Sequence, residues 1–189
     1  MNVVILHSPF PLRSAFLALP LEGDAKRTFQ ALQETLQPWE SILRFQNPAS
    51  SHLTLTFWKE LMEIEYEPVC LVARAIAERS RPFTLETTGM DTFADRRGDR
   101  VLYLSVQFSP ELASLKKLCP WPNFPGKPFH PHVTVARIAH PERFAVVKKK
   151  IMRALDGAIF PMTCDRLRLY AEIEGKQQTP LEEYTFAQD

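Results

Sequence analysis

Two short patterns in the chain could carry proton chemistry. His52-Leu53-Thr54-Leu55 and His132-Val133-Thr134-Val135 share the order His, aliphatic, Thr, aliphatic. Side chains alternate faces along a strand, so each His and its Thr point one way while the aliphatic residues anchor the other face in a core. Imidazole titrates near neutral pH, and one ring of a pair can take a proton while the other gives one. Opening a cyclic phosphodiester needs both acts: an attacking water is deprotonated and a departing sugar oxygen is protonated. Threonine hydroxyls can donate to the non-bridging phosphate oxygens and hold the phosphorus between the rings. No step in that scheme calls for a metal or a cofactor.

A single His-x-Thr is ordinarily a strand with a polar face. The signal is the repetition, because the chain has only five histidines and two of them sit in the same four-residue pattern. His130 and His132 also form an HxH pair, the spacing of a zinc half-site, but the nearest acidic residues in sequence are distant and His52 would be left without a role. P-loop, GxGxxG, HExxH, GxSxG and EF-hand patterns are absent, and the six glycines leave little material for a phosphate-cradling loop.

The segments around the motifs alternate between strand and helix patterns. Leu12 to Leu21 reads as a buried strand ended by Pro20, and Glu22 to about Leu36 as a helix with Ala25, Phe29, Leu32 and Leu36 on one face. Ile42 to Phe45 and His52 to Phe57 read as strands, and Tyr66 to Arg79 as a helix starting near Pro68. Phe83 to Thr87 and Val101 to Phe108 are strand runs joined by the charged turn ADRRGDR, which suggests an antiparallel hairpin. Pro110 to Leu118 fits a short helix, and the prolines from Pro120 to Pro131 impose a loop that arrives beside His132. His132 to Ile138 is a strand, Pro141 to about Leu155 a helix, Cys164 to Ile173 a strand and Tyr184 to Phe186 a last short strand. Each histidine strand is followed closely by a helix, so two similar halves are expected.

A chain of 189 residues with 45% hydrophobic content fits one domain spanning 1–189, with 1–11 as an N-terminal extension. Its 23 basic and 22 acidic residues nearly cancel, so no global field draws it to long nucleic acid or to anionic membrane. Any anion must be held by local charge. Cys70, Cys119 and Cys164 are widely spaced with no CxxC pair, which fits a reducing cytoplasm. The opening MNVVILHSPFP is too short for a signal-peptide core or a membrane span, and a soluble, cytoplasmic monomer without membrane association is expected.

In this context the sequence resembles the 2H phosphoesterase superfamily, specifically the bacterial and archaeal RNA 2′,3′-cyclic phosphodiesterases first named 2′-5′ RNA ligases. The resemblance spans about residues 13 to 186. It is carried by RSAFLALPL, SSHLTLTFWKE, FTLETTGMDTF with DRVLYLSV, PFHPHVTVARI and LRLY. It implies a bilobal α+β fold, with two pseudo-symmetric lobes of antiparallel sheet and outer helices around a central cleft. It further implies that His52 is the general acid and His132 the general base, with Thr54 and Thr134 on the phosphate. The implied reaction opens a 2′,3′-cyclic phosphate on an RNA end or small nucleotide to a 2′-phosphomonoester, with reversible 2′-5′ joining in some relatives.

Arg137 matches a basic position after the second family motif and would add a charged phosphate donor. On a regular strand it faces away from His132 and Thr134, so this role requires a bulge or an early strand end; the alternative is a surface salt bridge. The family pattern is broken by residues 1–11 and by the proline-rich 110–131 segment. That segment brings Trp121, Phe124 and Phe129 close in sequence to His132, where an aromatic could stack on a base, although packing of the loop onto the core is favoured. Lys148, Lys149 and Lys150, with Arg96, Arg97 and Arg100, could guide RNA; a solvated helix face and charged turn is the favoured alternative. His7 and His140 carry no pattern.

Two other functions are compatible with the motifs. One is a binding module for a nucleotide or RNA end without turnover. The other is a phosphodiesterase of the same superfamily acting on 2′-5′ oligoadenylate or an ADP-ribose cyclic phosphate.

Overall fold

The first strand that matters for the site, β1 (Leu12–Pro20), is buried along most of its length because LRSAFLALP supplies apolar side chains to both faces. Around it the computed structural model, which describes residues 9–121 and 128–188, assembles a curled antiparallel sheet and four helices. In chain order these are α1 (Gly23–Thr35), β2 (Leu43–Phe45), β3 (His52–Leu61), α2 (Glu63–Arg79), β4 (Phe83–Asp95), β5 (Gly98–Val106), α3 (Pro110–Leu118), β6 (His132–Ile138), α4 (Pro141–Ala154), β7 (Pro161–Cys164), β8 (Arg166–Ile173) and β9 (Lys176–Thr185).

The strands lie in the spatial order β7-β4-β5-β6-β3-β1-β8-β9, with β2 added on β6. That order has an internal symmetry about the β6/β3 junction. The run β1-α1-β3-α2 corresponds to β5-α3-β6-α4, and each half is completed by a strand from beyond the other's second helix. After α2, β4 crosses to pair with β5, and the chain beyond α4 crosses back so that β8 pairs with β1. The α+β fold with two related halves expected from the sequence is the fold observed. No described helix is long and apolar enough to cross a membrane.

Helix packing fixes which face of the sheet is left for chemistry. Phe29 of α1, Val69 and Ala73 of α2, Leu112 of α3 and Phe144 of α4 share one core with Leu53, Leu55, Val133 and Val135 of the motif strands. Each of the larger side chains among them contributes about 1.5–3 kcal/mol. A second, smaller cluster of Phe16, Ala18 and Tyr170, with Phe57 against it, lies beside the half-buried His52 and Thr54.

Several boundaries differ from the sequence expectation. Helix α2 begins at Glu63, so Pro68 lies inside it. Its start is held by Glu65, whose carboxylate accepts from Met62 N at 2.9 Å, and acidic residues in the first turn favour the helix dipole. The single strand expected at Cys164 to Ile173 is two: β7 pairs with β4 while β8 pairs with β1, and Asp165 is where the chain changes halves. The last strand runs from Lys176 to Thr185, and Ala187 N and Phe186 N bond instead to loop carbonyls of Ser80 and Asp165. Its sequence KQQTPLEEYT is too polar to read as a strand because β9 is an edge. The hairpin at Asp95 to Gly98 closes on Arg96 and Arg97 as expected.

One defect of β3 is informative. Thr56 is 2% exposed, and its hydroxyl has no partner among the described residues. Thr56→Val is therefore expected to raise stability by about 1 kcal/mol, since it removes an unsatisfied buried hydroxyl at nearly constant shape; urea denaturation measures it.

Candidate active site

The two motif strands run antiparallel and meet with Leu53 opposite Val133. In such a ladder the neighbours of that pair are His52 beside Thr134 and Thr54 beside His132, so the four polar side chains share one face, crossed in pairs. Both histidines are anchored in the same way. His52 Nδ1 is 2.6 Å from Ser50 O, and His132 Nδ1 is 2.7 Å from His130 O. A carbonyl can only accept, so each Nδ1 carries the proton and each neutral ring presents an unprotonated Nε2. Ser50 belongs to a 3-10 turn (Pro48–Ser50) started by Asn47, whose side chain accepts from Ala49 N at 3.0 Å. Ser50 Oγ also donates to Gln178 Oε1 at 2.7 Å.

Each motif strand then bulges at the same place. On β3, Ala18 pairs with Thr54 but Leu17 pairs with Thr56, leaving Leu55 extra; on β6, Tyr103 pairs with Thr134 but Leu102 pairs with Ala136, leaving Val135 extra. The extra residue inverts the alternation beyond it. Both Val135 and Ala136 are buried, and Arg137 emerges exposed on the face of His132 and Thr134. By the same inversion Thr56 is turned into the core and Phe57 onto the face of His52 and Thr54. The bulged Val135 carbonyl is held by Gln46 N at 2.9 Å and by the side chain of buried Gln33 at 3.0 Å. Gln33 also donates to Gln46 O at 2.7 Å.

Aromatic walls orient the imidazoles. Phe16 stacks on His52 with ring centroids 4.4 Å apart, and Tyr170 stacks on Phe16 at 4.9 Å. Tyr170 accepts from Arg168 at 3.3 Å, and Arg168 is itself fixed by Glu22 at 2.8 Å and by Glu183. Across the site, Phe93 stacks on Tyr103 at 4.0 Å, and both meet His132 edge-on, at 4.9 and 5.4 Å.

Burial sets the charge state of the rings. It outweighs the Ser50 carbonyl and pushes His52 down to about 4, with His132 adding repulsion. His132 is lowered in the same direction, mainly by burial, with His130 adding repulsion. Both rings are therefore neutral at pH 7 in the free protein. A consequence for stability follows with a definite sign. Below about 6.5 an unfolded histidine binds a proton that folded His52 refuses until about 4. Stability from this group is thus full above pH 6.5 and falls as pH drops through that window, by up to about 1.4 kcal/mol per unit. Denaturation at several pH values is expected to show a shallower acid slope in His52→Asn.

The structure brings His52, Thr54, His132, Thr134 and Arg137 onto one face. Arg137 arrives there through the bulge at Val135. Trp121 packs edge-on against Trp58 at 5.2 Å, and Phe129 lies against Phe108 and under Lys116, the loop-packing alternative; Phe124 and His7 lie outside the described residues. Lys148 is bound to Asp99 and Thr92 at 3.0 Å, and Arg100 reaches Asp95 at 3.4 Å. His140 sits exposed at the start of α4 and makes no side-chain capping hydrogen bond. Among the described residues no group of three metal-ligating side chains gathers around His130 and His132.

Sequence reading missed Phe16, Tyr170, Phe93, Tyr103 and Gln33. The aromatics lie in strand runs and look like core; only the register places them beside the histidines. A buried glutamine on the apolar stripe of α1 was a visible anomaly.

A family model described as the 2'-5' RNA ligase superfamily matches residues 47–176, which include both motifs and Arg137. An RNA 2',3'-cyclic phosphodiesterase of Geobacillus stearothermophilus is 28% identical over 164 residues, 82% of this chain and 51% of that protein, so the chain spans about half the length of that relative. One of Bacillus subtilis (strain 168) is 31% identical over 132 residues, 65% of this chain and 69% of the relative. Among solved structures, TT0787 of Thermus thermophilus superposes with a TM-score of 0.70 at 20% identity, covering 92% of this chain and 97% of that one. E. coli LigT complexed with 3'-AMP gives 0.63 at 21%, covering 94% and 99%. With paired motif strands, their symmetric halves and this match over well over half its length, the chain belongs to the 2'-5' RNA ligase superfamily of 2H phosphoesterases.

Proposed function

We propose that the protein hydrolyses 2′,3′-cyclic phosphates of nucleotides or RNA ends to 2′-phosphomonoesters, with His132 as general base, His52 as general acid, and Thr54, Thr134 and Arg137 on the phosphate. The observation that carries this reading is the crossed register of the two motifs, each imidazole pinned at Nδ1 by the carbonyl two residues earlier. His132 Nε2 takes a proton from water as its oxygen bonds to phosphorus. The bond from phosphorus to the 3′ oxygen breaks, and His52 Nε2 supplies the proton to that oxygen. The threonine hydroxyls and the guanidinium stabilise the charge that builds on the non-bridging oxygens.

The division into acid and base rests on family resemblance, and the electrostatics of the free protein set a condition on it. His52 must be protonated to act as the acid, yet its own value is held near 4. The anionic phosphate between the rings supplies what is missing, because a nearby negative charge raises an imidazole. The pH dependence carries this signature. kcat/KM, which reports the free protein, is expected to peak below pH 6.5, and the kcat optimum, which reports the complex, to lie higher. Coincident optima at or above pH 7 would count against the scheme.

The relatives named RNA 2',3'-cyclic phosphodiesterases support the choice of substrate. The direct test is product analysis in EDTA across cyclic mononucleotides, RNA ending in a cyclic phosphate and 2′-5′-linked dinucleotides, beside a His52→Ala control. Saturable binding with no product under any condition would instead make the protein a nucleotide-binding module.

A further inference from the structure

Arg44 lies directly opposite Arg137 in the β2–β6 ladder. Cross-strand neighbours share a face, and the flanking pair Leu43 and Ile138 is buried, so both guanidiniums stand on the exposed face that the Val135 bulge has turned towards Thr134. Like charges placed opposite each other on antiparallel strands repel. Some arginines of this protein are compensated: Arg100 by Asp95, Arg166 by Asp165 and Glu183, Arg168 by Glu22 and Glu183. Arg44 and Arg137 are not. Among the described residues neither makes an ion pair or a side-chain hydrogen bond. An uncompensated pair held side by side, on a bulge clamped by a buried glutamine, suits an anion supplied from outside.

The spacing says which anion. With Val135 bulged, Arg137 stands about 7 Å along β6 from Thr134, and Arg44 is about 5 Å across from Arg137 on the edge of β6 that β3 also pairs, in line with His52. The two cations therefore stand side by side at one end of the four motif side chains instead of encircling one point. Arg137, on the strand of Thr134, is assigned to the phosphate held there, which leaves Arg44 beside it for a second anion. We infer that Arg44 forms a second anion subsite that takes the phosphodiester next to the reacting phosphate, so that the preferred substrate is an RNA end of at least two nucleotides. This rests on the function proposed above for the motif residues.

Binding of product-type ligands tests it without relying on turnover. The probes are a nucleoside 2′-monophosphate and a dinucleotide carrying the same terminal 2′-phosphate, titrated at several salt concentrations. The protein is expected to bind the dinucleotide about fivefold tighter, and Arg44→Gln to bring the ratio of the two affinities close to one. For the dinucleotide, the slope of log K against log salt is expected to become shallower by about 0.7 in Arg44→Gln and to be retained in Arg44→Lys, which also controls for folding. Equal affinity of the unsubstituted protein for both ligands overturns the subsite. So does an Arg44→Gln effect equal on both, which would put Arg44 on the reacting phosphate. An Arg44-dependent preference in a protein that hydrolyses no cyclic phosphate would keep the subsite and refute the catalytic reading, so the two fail separately.

Discussion

His52→Ala and His132→Ala are each expected to lower kcat on a 2′,3′-cyclic phosphate by about 10²–10⁴, and the double variant to be hardly worse than the poorer single one. The reason is the geometry. In the proposed reaction the rings address one phosphate from two strands joined at Leu53 and Val133, and neither proton transfer helps unless the other occurs. Residues that act as a unit are not additive. Steady-state kinetics of the three variants measures this; single losses that multiply in the double variant would mean two independent contributions. His→Asn variants at both positions guard against loss of packing, because His52 is stacked between strands on Phe16.

The second large effect is expected at Arg137. Arg137→Gln should lower kcat/KM by about 10–100-fold, the worth of a charged donor to a phosphate in a partly desolvated site. Gln33→Leu should reproduce part of that loss, because Gln33 holds the Val135 carbonyl at the bulge and the bulge turns Arg137 to the site. The decisive comparison is the double variant. If Gln33 works by positioning Arg137, Gln33→Leu costs little further activity once Arg137 is glutamine; if it only stabilises the fold, the two losses add.

Arg137 also marks where the two halves stop being equivalent. Both strands bulge one residue after the threonine, and the residue five beyond each histidine is then turned to the site: Phe57 in one half, Arg137 in the other. One half thus offers an apolar ring among Phe16, Ala18 and Tyr170, the other a guanidinium. Similar motifs are given unequal surroundings, which suits the unequal proton roles proposed for them.

How much of this was legible in the sequence depends on whether the signal was local. His52, Thr54, His132 and Thr134 could be found because a strand's period is fixed and the pattern occurs twice. The bulges could not, since Leu55 and Val135 are ordinary strand residues and the extra residue exists only relative to a partner strand. Arg137 was accordingly identified with its orientation unresolved. Arg44 was invisible as a site residue because its significance lies in standing opposite Arg137. Glu63 to Glu65 was missed as helix because Pro68 reads as a first-turn proline, although the acidic first turn and Glu65 reaching back to Met62 start the helix earlier. Most of β9, from Lys176 to Glu183, escaped because an edge strand can be polar.

The central claim is that His52 and His132 together open a cyclic phosphodiester. Phosphorus NMR of adenosine 2′,3′-cyclic phosphate incubated with the protein in EDTA tests it most directly. The expected result is conversion to the 2′-monophosphate, abolished in His52→Ala and His132→Ala. An unchanged cyclic phosphate signal with the unsubstituted protein, or equal conversion by all three proteins, would contradict it.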